Sequence, residues 1–127
     1  MIEALFNQPN YVAARKLLDA TALRHEAIAA NLANVETPGY QRVDIAPSFA
    51  RNLSQAIAAR DPARIARLEP SLAADTTVAS TRRDGNNVEL ENELVRLNQN
   101  AVAHSLETQL LTGTLLRLRL AITGRPS

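Results

Sequence analysis

Residues 90–122, LENELVRLNQNAVAHSLETQLLTGTLLRLRLAI, decide the fold class. Leu90, Leu94, Leu97, Ala101, His104, Thr108, Leu111, Leu115, Leu118 and Ile122 follow one another in alternating steps of four and three, without a break. That spacing is a heptad seam, the pattern of a helix that packs lengthwise on another helix. A second stripe lies beside it at Val88, Val95, Val102 and Leu116, at intervals of seven or fourteen. Glu89, Glu91 and Glu93 stand at the start and Arg117 and Arg119 near the end, which suits the helix dipole. No proline interrupts the run. A helix of about 35 residues would span roughly 50 Å, more than a compact globule of 127 residues needs.

The opposite end of the chain supplies a partner. From Pro9 to Asn34, the positions Leu18, Thr21, His25, Ile28, Leu32 and Val35 step by 3, 4, 3, 4, 3. Pro9 suits a first helical position, with Asn7 or Asn10 as the cap. The chain therefore reads as a single all-α domain, residues 1–127. Residues 1–39 and 84–127 form long terminal helices packed as an antiparallel coiled-coil hairpin, and 40–83 form a variable middle segment, irregular or short-helical. Each buried Leu contributes ~1.5–3 kcal/mol, but Thr21, His25, Ala101, His104 and Thr108 interrupt the apolar line. One pair of such helices is marginal, and the second stripe has no partner within the chain. An apolar stripe without an internal partner points to other copies or other subunits.

The middle segment differs in character. FARNLSQAIAAR places Phe49, Leu53, Ala56, Ile57 and Arg60 on one face of a short helix. Asp61-Pro62 reads as the cap and first position of another, ending before Pro70. Residues 73–83 read as extended or mobile chain. Asp84-Gly85-Asn86-Asn87 reads as a turn, with Asn87 as a candidate cap for the last helix.

Composition narrows the function classes. The net charge is +1, from 14 basic and 13 acidic residues, which implies no polyanion partner. Lys16 is the single lysine among those 14, so Arg dominates. There is no Cys and no Trp, and only two Tyr and two Phe. Thiolate metal sites and disulfides are thereby excluded. The N-terminal MIEALFNQPN lacks the basic and apolar regions of a secretory signal, and no run approaches the ~18 apolar residues of a membrane span. His25 and His104 fall on the seams and are too few for a metal site. Glu89, Glu91 and Glu93 are two apart and so point away from one another on a helix. The serines lack a nucleophile-elbow context and the glycines are scattered. Arg82-Arg83, and Arg60, Arg64 and Arg67, have no aromatic interleaving of the kind nucleic-acid modules use. No enzyme, cofactor, metal or nucleic-acid partner is expected.

The stretch 33–40, ANVETPGY, ends the first helix abruptly. Pro38 presets φ for the second position of a turn and Gly39 supplies positive φ at the third. Thr37, preceding Pro, is pushed out of the helical region. Thr37-Pro38-Gly39-Tyr40 is thus a candidate type II turn. Asn31 and Asn34, one turn apart, can bond the last free carbonyls of the helix or a neighbour's backbone.

The longer string 31–40, NLANVETPGY, closely resembles the N-terminal signature of the bacterial flagellar rod and hook axial proteins. Asp84-Gly85-Asn86-Asn87-Val88-Glu89-Leu90 resembles the lead-in to the C-terminal helix of proximal rod members of that family, and the short chain fits them. The two matches cover residues of about 10–45 and 84–122. The resemblance implies a structural subunit of the basal-body proximal rod, with no catalysis, self-assembling through its terminal helices into a helical tube. Implied partners are further copies of the chain, other flagellar rod proteins, the MS-ring and export-gate base, and the type III export apparatus. It also implies export without a cleaved signal, and residence in the periplasm-spanning rod. Asn31, Asn34, Thr37, Pro38, Gly39 and Tyr40 would form the corner where the chain leaves its wall helix. Leu18, Ile28, Leu32, Leu90, Leu94, Leu97, Ala101, His104, Leu111, Leu115 and Leu118 would form the helix seam and interface. The other readings are a sibling proximal rod protein and a cytoplasmic all-α coiled-coil adaptor.

Overall fold

A computed structural model describes residues 8–124. Asn7, one of the two expected caps, lies outside the described residues. Among the described residues, four helices and two short strands follow in the order α1 (Pro9–Ala33), β1 (Val43–Ile45), α2 (Pro47–Ala58), α3 (Pro62–Arg67), β2 (Leu72–Ala74) and α4 (Leu90–Thr123). The architecture is mainly helical, and the two long helices pack on each other.

Three of the helices begin on proline, at Pro9, Pro47 and Pro62. Its fixed φ is already helical and its missing N–H would have no partner there. Asp61 caps α3 as expected, its carboxylate accepting from Arg64 N at 3.1 Å. Asn10 does not cap α1, which starts at Pro9 behind Gln8 and has no side-chain cap bond. Nor does Asn87 cap α4: the cap position is Glu89, while Asn87 Oδ1 accepts the backbone N–H of Arg42 at 2.6 Å. At the far end of α4, Gly124 adopts φ +66 and bonds back to Leu120 O at 2.7 Å. That left-handed C-terminal cap is one a side chain would resist.

Part of the middle segment, residues 43–68, packs on α1, whereas most of 71–84 is exposed. β1 and β2 pair antiparallel, with Val43 opposite Ala74, Asp44 opposite Ala73 and Ile45 opposite Leu72. Phe49, Leu53 and Ala56 on one face of α2 meet Ile65 of α3 and Ala13 of α1 in the apolar core. Val12, Ala20, Ile45, Ile57 and Leu68 pack around it. Arg60 stands at positive φ between α2 and α3, outside this core. The core therefore sits on the N-terminal half of α1, and Lys16 Nζ adds a 2.9 Å bond to Glu69 beside it.

α4 lies antiparallel on α1: Glu93 meets Asn31 near one end, whereas His104 and Glu107 meet Thr21 farther along. The inward line on α4 runs through Glu93, Leu97, Asn100, Glu107, Leu111, Thr114 and Leu118, all buried or half-buried. Of the expected seam, Leu97, Leu111 and Leu118 are half-buried, but Leu90, Leu94, Ala101, His104 and Leu115 are exposed. On α1, Ile28 is buried, Leu18 and Leu32 are half-buried, and His25 is exposed. The rotation has a local cause. Glu93 turns inward to Arg42 and Asn31, and Asn100 to the Thr21 carbonyl, which leaves the neighbouring apolar positions on the flank.

Candidate assembly corner

The two motifs that stand 40-odd residues apart in sequence meet at the bend after α1. Tyr40 N bonds Thr37 O at 3.3 Å and Gly39 has φ +74, the geometry expected of a type II turn. Asn34 Nδ2 caps Ala30 O at 2.8 Å, and Thr37 Oγ1 donates to Asn34 Oδ1 at 3.1 Å. Pro38 is exposed on the outside of the bend.

The Asp84–Asn87 turn docks into this bend. Gly39 N donates to Asp84 O at 2.8 Å, Asn87 N to Tyr40 O at 3.3 Å and Gln41 Nε2 to Gly85 O at 2.7 Å. The Asn86 side chain, 0 % exposed, donates its amide to Asn34 O (2.8 Å), Val35 O (3.2 Å) and Thr37 O (2.8 Å). One of these carbonyls belongs to Asn34, the cap residue of α1, and the other two to the turn that follows, so one buried amide braces the end of the helix from another part of the chain. Arg82 adds a bond from Nη2 to Val35 O. Gly85, at φ +83, packs so closely that an added Cβ would lie 3.3 Å from the Cα of Gly39.

Asn31, also 0 % exposed, is saturated. Its Oδ1 accepts from Val43 N (3.0 Å) and the Tyr40 hydroxyl (3.1 Å), and its Nδ2 donates to Val43 O (2.9 Å) and Glu93 Oε2 (3.3 Å). Two lone pairs and two protons are all an amide has. It acts on Val43 as a neighbouring strand would, and so fixes β1 to the end of α1. The phenol of Tyr40 is raised above its ordinary value, first by burial and then by the nearby Glu93 carboxylate.

Behind the corner lies a buried ionic cluster. Arg42 is 1 % exposed and Glu93 0 %. Arg42 Nε donates to Glu93 Oε1, and its Nη1 donates to Asp44 Oδ2 at 3.1 Å and Asp75 Oδ2 at 2.6 Å. Arg24 closes on Asp44 at 2.9 Å and Arg96 on Glu93 at 3.1 Å. Three cations thus face three carboxylates. Burial works against the charge on Arg42, yet its bonds to Glu93 and Asp44 outweigh that and raise its value. Burial likewise opposes ionisation of Asp44 and Asp75. Asp44 is nevertheless held low by the Ile45 N–H, Arg24 and Arg42, and Asp75 by the Thr77 side chain and backbone and Arg42.

The expected corner residues Asn31, Asn34, Thr37, Gly39 and Tyr40 are brought together around one bend. The clasp from Asn86 and the buried cluster of Arg42, Asp44, Asp75 and Glu93 do not follow from the sequence reading, which placed Glu93 only as a helix-start charge. One signal was available. Glu93, Leu97, Asn100, Glu107, Leu111, Thr114 and Leu118 also keep heptad spacing, but a polar heptad line is easily passed over beside an apolar one.

On the other side of α4, opposite the line that meets α1, Val95, Val102, Leu106, Leu116 and Leu120 are exposed, Val102 at 69 %. Among the described residues no cluster of three or more His, Asp or Glu is placed to hold a metal, and no helix is long and apolar enough to cross a membrane.

This geometry defines a class of protein first: an elongated helical hairpin with a side-chain-locked bend and a long apolar outer face. A family model described as flagella basal body rod protein matches residues 17–41, the C-terminal part of α1 and the corner itself. The chain is also 29 % identical to the flagellar basal body rod protein FlgB of Borrelia hermsii, an alignment covering 76 % of this chain and 83 % of that protein. The chain is thus similar to flagellar basal-body rod proteins, at the corner through the family model and over most of its length through FlgB.

Proposed function

We propose that the chain is a subunit of the proximal rod, which assembles with further copies through its terminal helices into the helical drive-shaft tube after type III export. In this reading the corner residues Asn31, Asn34, Thr37, Pro38, Gly39 and Tyr40 set the direction in which the middle segment leaves the wall. The flank and outer residues of α4 make the contacts between subunits. Sibling rod proteins, the MS-ring and export-gate base and the export apparatus are its partners. It carries out no catalysis.

The observation that carries this reading is the exposed apolar face of α4. Val95, Val102, Leu106, Leu110, Leu116 and Leu120 all lie between 44 % and 69 % exposed on one helix. A face of that length is costly to leave in water, at about 25 cal/mol per Å², and marks an association surface. A sibling position in the rod and a cytoplasmic adaptor are the competing readings.

Replacing Val102, Leu106 and Leu116 together by Ser tests it. The isolated chain should keep its helical circular dichroism, and the variant should be missing from sheared basal bodies that contain the wild-type chain. Normal incorporation of the triple variant would refute the assembly role of this face. A wild-type chain found only as a defined cytosolic oligomer would favour the adaptor.

A further inference from the structure

We propose that the outer edge of β2 is a strand-addition site for a second copy of this chain, whose residues 78–81 pair antiparallel with Leu72–Ala74. The inference rests on the rod reading and names one contact between neighbouring subunits.

The two-stranded sheet has one closed edge and one open edge. On β1, Asn31 takes both Val43 N and Val43 O, and the Asp44 carboxylate takes Ile45 N at 2.7 Å. No strand can add there. β2 meets β1 through alternate residues: Asp75 N donates to Arg42 O at 2.9 Å and Ala46 N to Ser71 O at 2.8 Å, with Ala73 opposite Asp44 between them. In an antiparallel ladder the intervening residues turn their N–H and C=O the other way. Leu72 and Ala74 therefore present two donors and two acceptors outward, and among the described residues none of the four is bonded. Sheets guard such edges with charges, bulges or proline. Residues 71–74 are exposed and uncharged, with Leu72 at 40 %, and Pro70 lies before the strand rather than in it.

The chain also carries an unused strand. Asp75 turns it away from β2 by accepting Thr77 N at 2.9 Å and Thr77 Oγ1 at 2.6 Å. In residues 78–81, VAST, no backbone group is bonded among the described residues. Val78 and Thr81 are β-branched and suit a ladder. Pairing Ala79 with Ala74 sets Thr81 opposite Leu72, so the outward groups of both β2 residues are met. It also brings Arg83, exposed and outside every ion pair among the described residues, beside Pro70 and the exposed carboxylate of Glu69. A ladder this short is weak alone, and gains strength where the faces of α4 already hold two copies together. One copy's edge met by a different segment of the next is a head-to-tail contact, which extends as an open helix unless it closes into a ring.

The chain has no cysteine, so introduced thiols can be read without background. Two chains are co-expressed, one with Ala73→Cys and the other with Val78→Cys, Ala79→Cys, Ser80→Cys or Thr81→Cys in turn, and sheared basal bodies are oxidised with copper phenanthroline. Ser80→Cys should give the highest disulfide yield with Ala73→Cys, about fivefold above Ala79→Cys and Thr81→Cys, because strand side chains alternate between faces. Ala74→Pro, added to the Ala73→Cys chain, removes one outward N–H and no bond to β1. It should cut that yield about fivefold and leave the urea midpoint unchanged. A flat profile across 78–81 in incorporated chains would overturn strand addition and leave the rod reading standing. Disulfides formed mainly between two Ala73→Cys chains would overturn it in favour of β2 pairing with β2. Absence of the wild-type chain from basal bodies would take down the rod reading, and this contact with it.

Discussion

Arg42 and Glu93, 51 residues apart, form a buried ion pair in which Nε of the guanidinium donates to Oε1 of the carboxylate. It ties the residue before β1 to the second turn of α4, and so closes the hairpin at the corner end. The pair is stabilising only while both members are present. Each alone would be a charge with almost no access to water.

Removing one partner should therefore be costly. Arg42→Met or Glu93→Gln is expected to lower unfolding stability by about 3–5 kcal/mol. The double variant Arg42→Met/Glu93→Leu should recover part of that, because the buried Glu93 carboxylate is gone and Asp44 keeps Arg24, although Asp75 loses its cation. Urea midpoints of the three variants check this. A double variant as unstable as the sum of the singles would show that the pair is not the governing contact.

The glycines at the corner make a second, separable expectation. Gly85→Ala meets both a left-handed φ of +83 and the backbone of Gly39, 3.3 Å from the new Cβ. Gly39→Val meets only the φ of +74, with open space around it. Both should lose about 1–2 kcal/mol for the left-handed backbone, and Gly85→Ala should lose more because its neighbour is backbone and cannot step aside. Gly39→Val should also block rod assembly while leaving expression and export intact. Thermal melts rank the two variants, and wild-type motility in Gly39→Val would sink the corner's role.

Asn86 clasps the end of α1 with an amide that no isosteric acid can replace. Asn86→Asp would set a carboxylate against three carbonyls in a site with 0 % exposure. It should destabilise more than Asn86→Ala, itself expected to cost about 1–3 kcal/mol for the unsatisfied partners. If Asp were tolerated better than Ala on denaturant titration, the clasp as described would be mistaken.

The acid response follows from Asp44 and Asp75. Both carboxyls are held below their ordinary value in the folded chain. A depressed carboxyl stabilises the fold above its unfolded value and loses that contribution as pH falls through the folded one. Stability should hold down to pH of about 4 and drop below it. Glu107, raised by burial, acts in the opposite sense: its neutral form suits the docked helix, so its share improves on acidification. Stability titrations of Asp75→Asn against wild type separate the two. An acid transition unchanged in Asp75→Asn would remove Asp75 from the account.

Local chemistry alone was enough for much of this fold. Pro9 and Pro62 mark helix starts, Thr37-Pro38-Gly39-Tyr40 a turn, and the two heptad runs two long helices. Each depends on residues near one another in the chain, through φ restriction, missing donors and 3.6-residue periodicity. Which face of α4 turns inward was not legible in that way. The apolar line through Leu94 and Ala101 and the polar line through Glu93 and Asn100 both keep heptad spacing, and spacing cannot rank them. Tertiary structure chose the polar line because Arg42, Asn31 and the Thr21 carbonyl wait there. Buried donors and acceptors must be paired, and their partners lie tens of residues away. The same holds for Asn86, whose place in a turn is local but whose three carbonyl partners belong to the end of another helix and the turn that follows it.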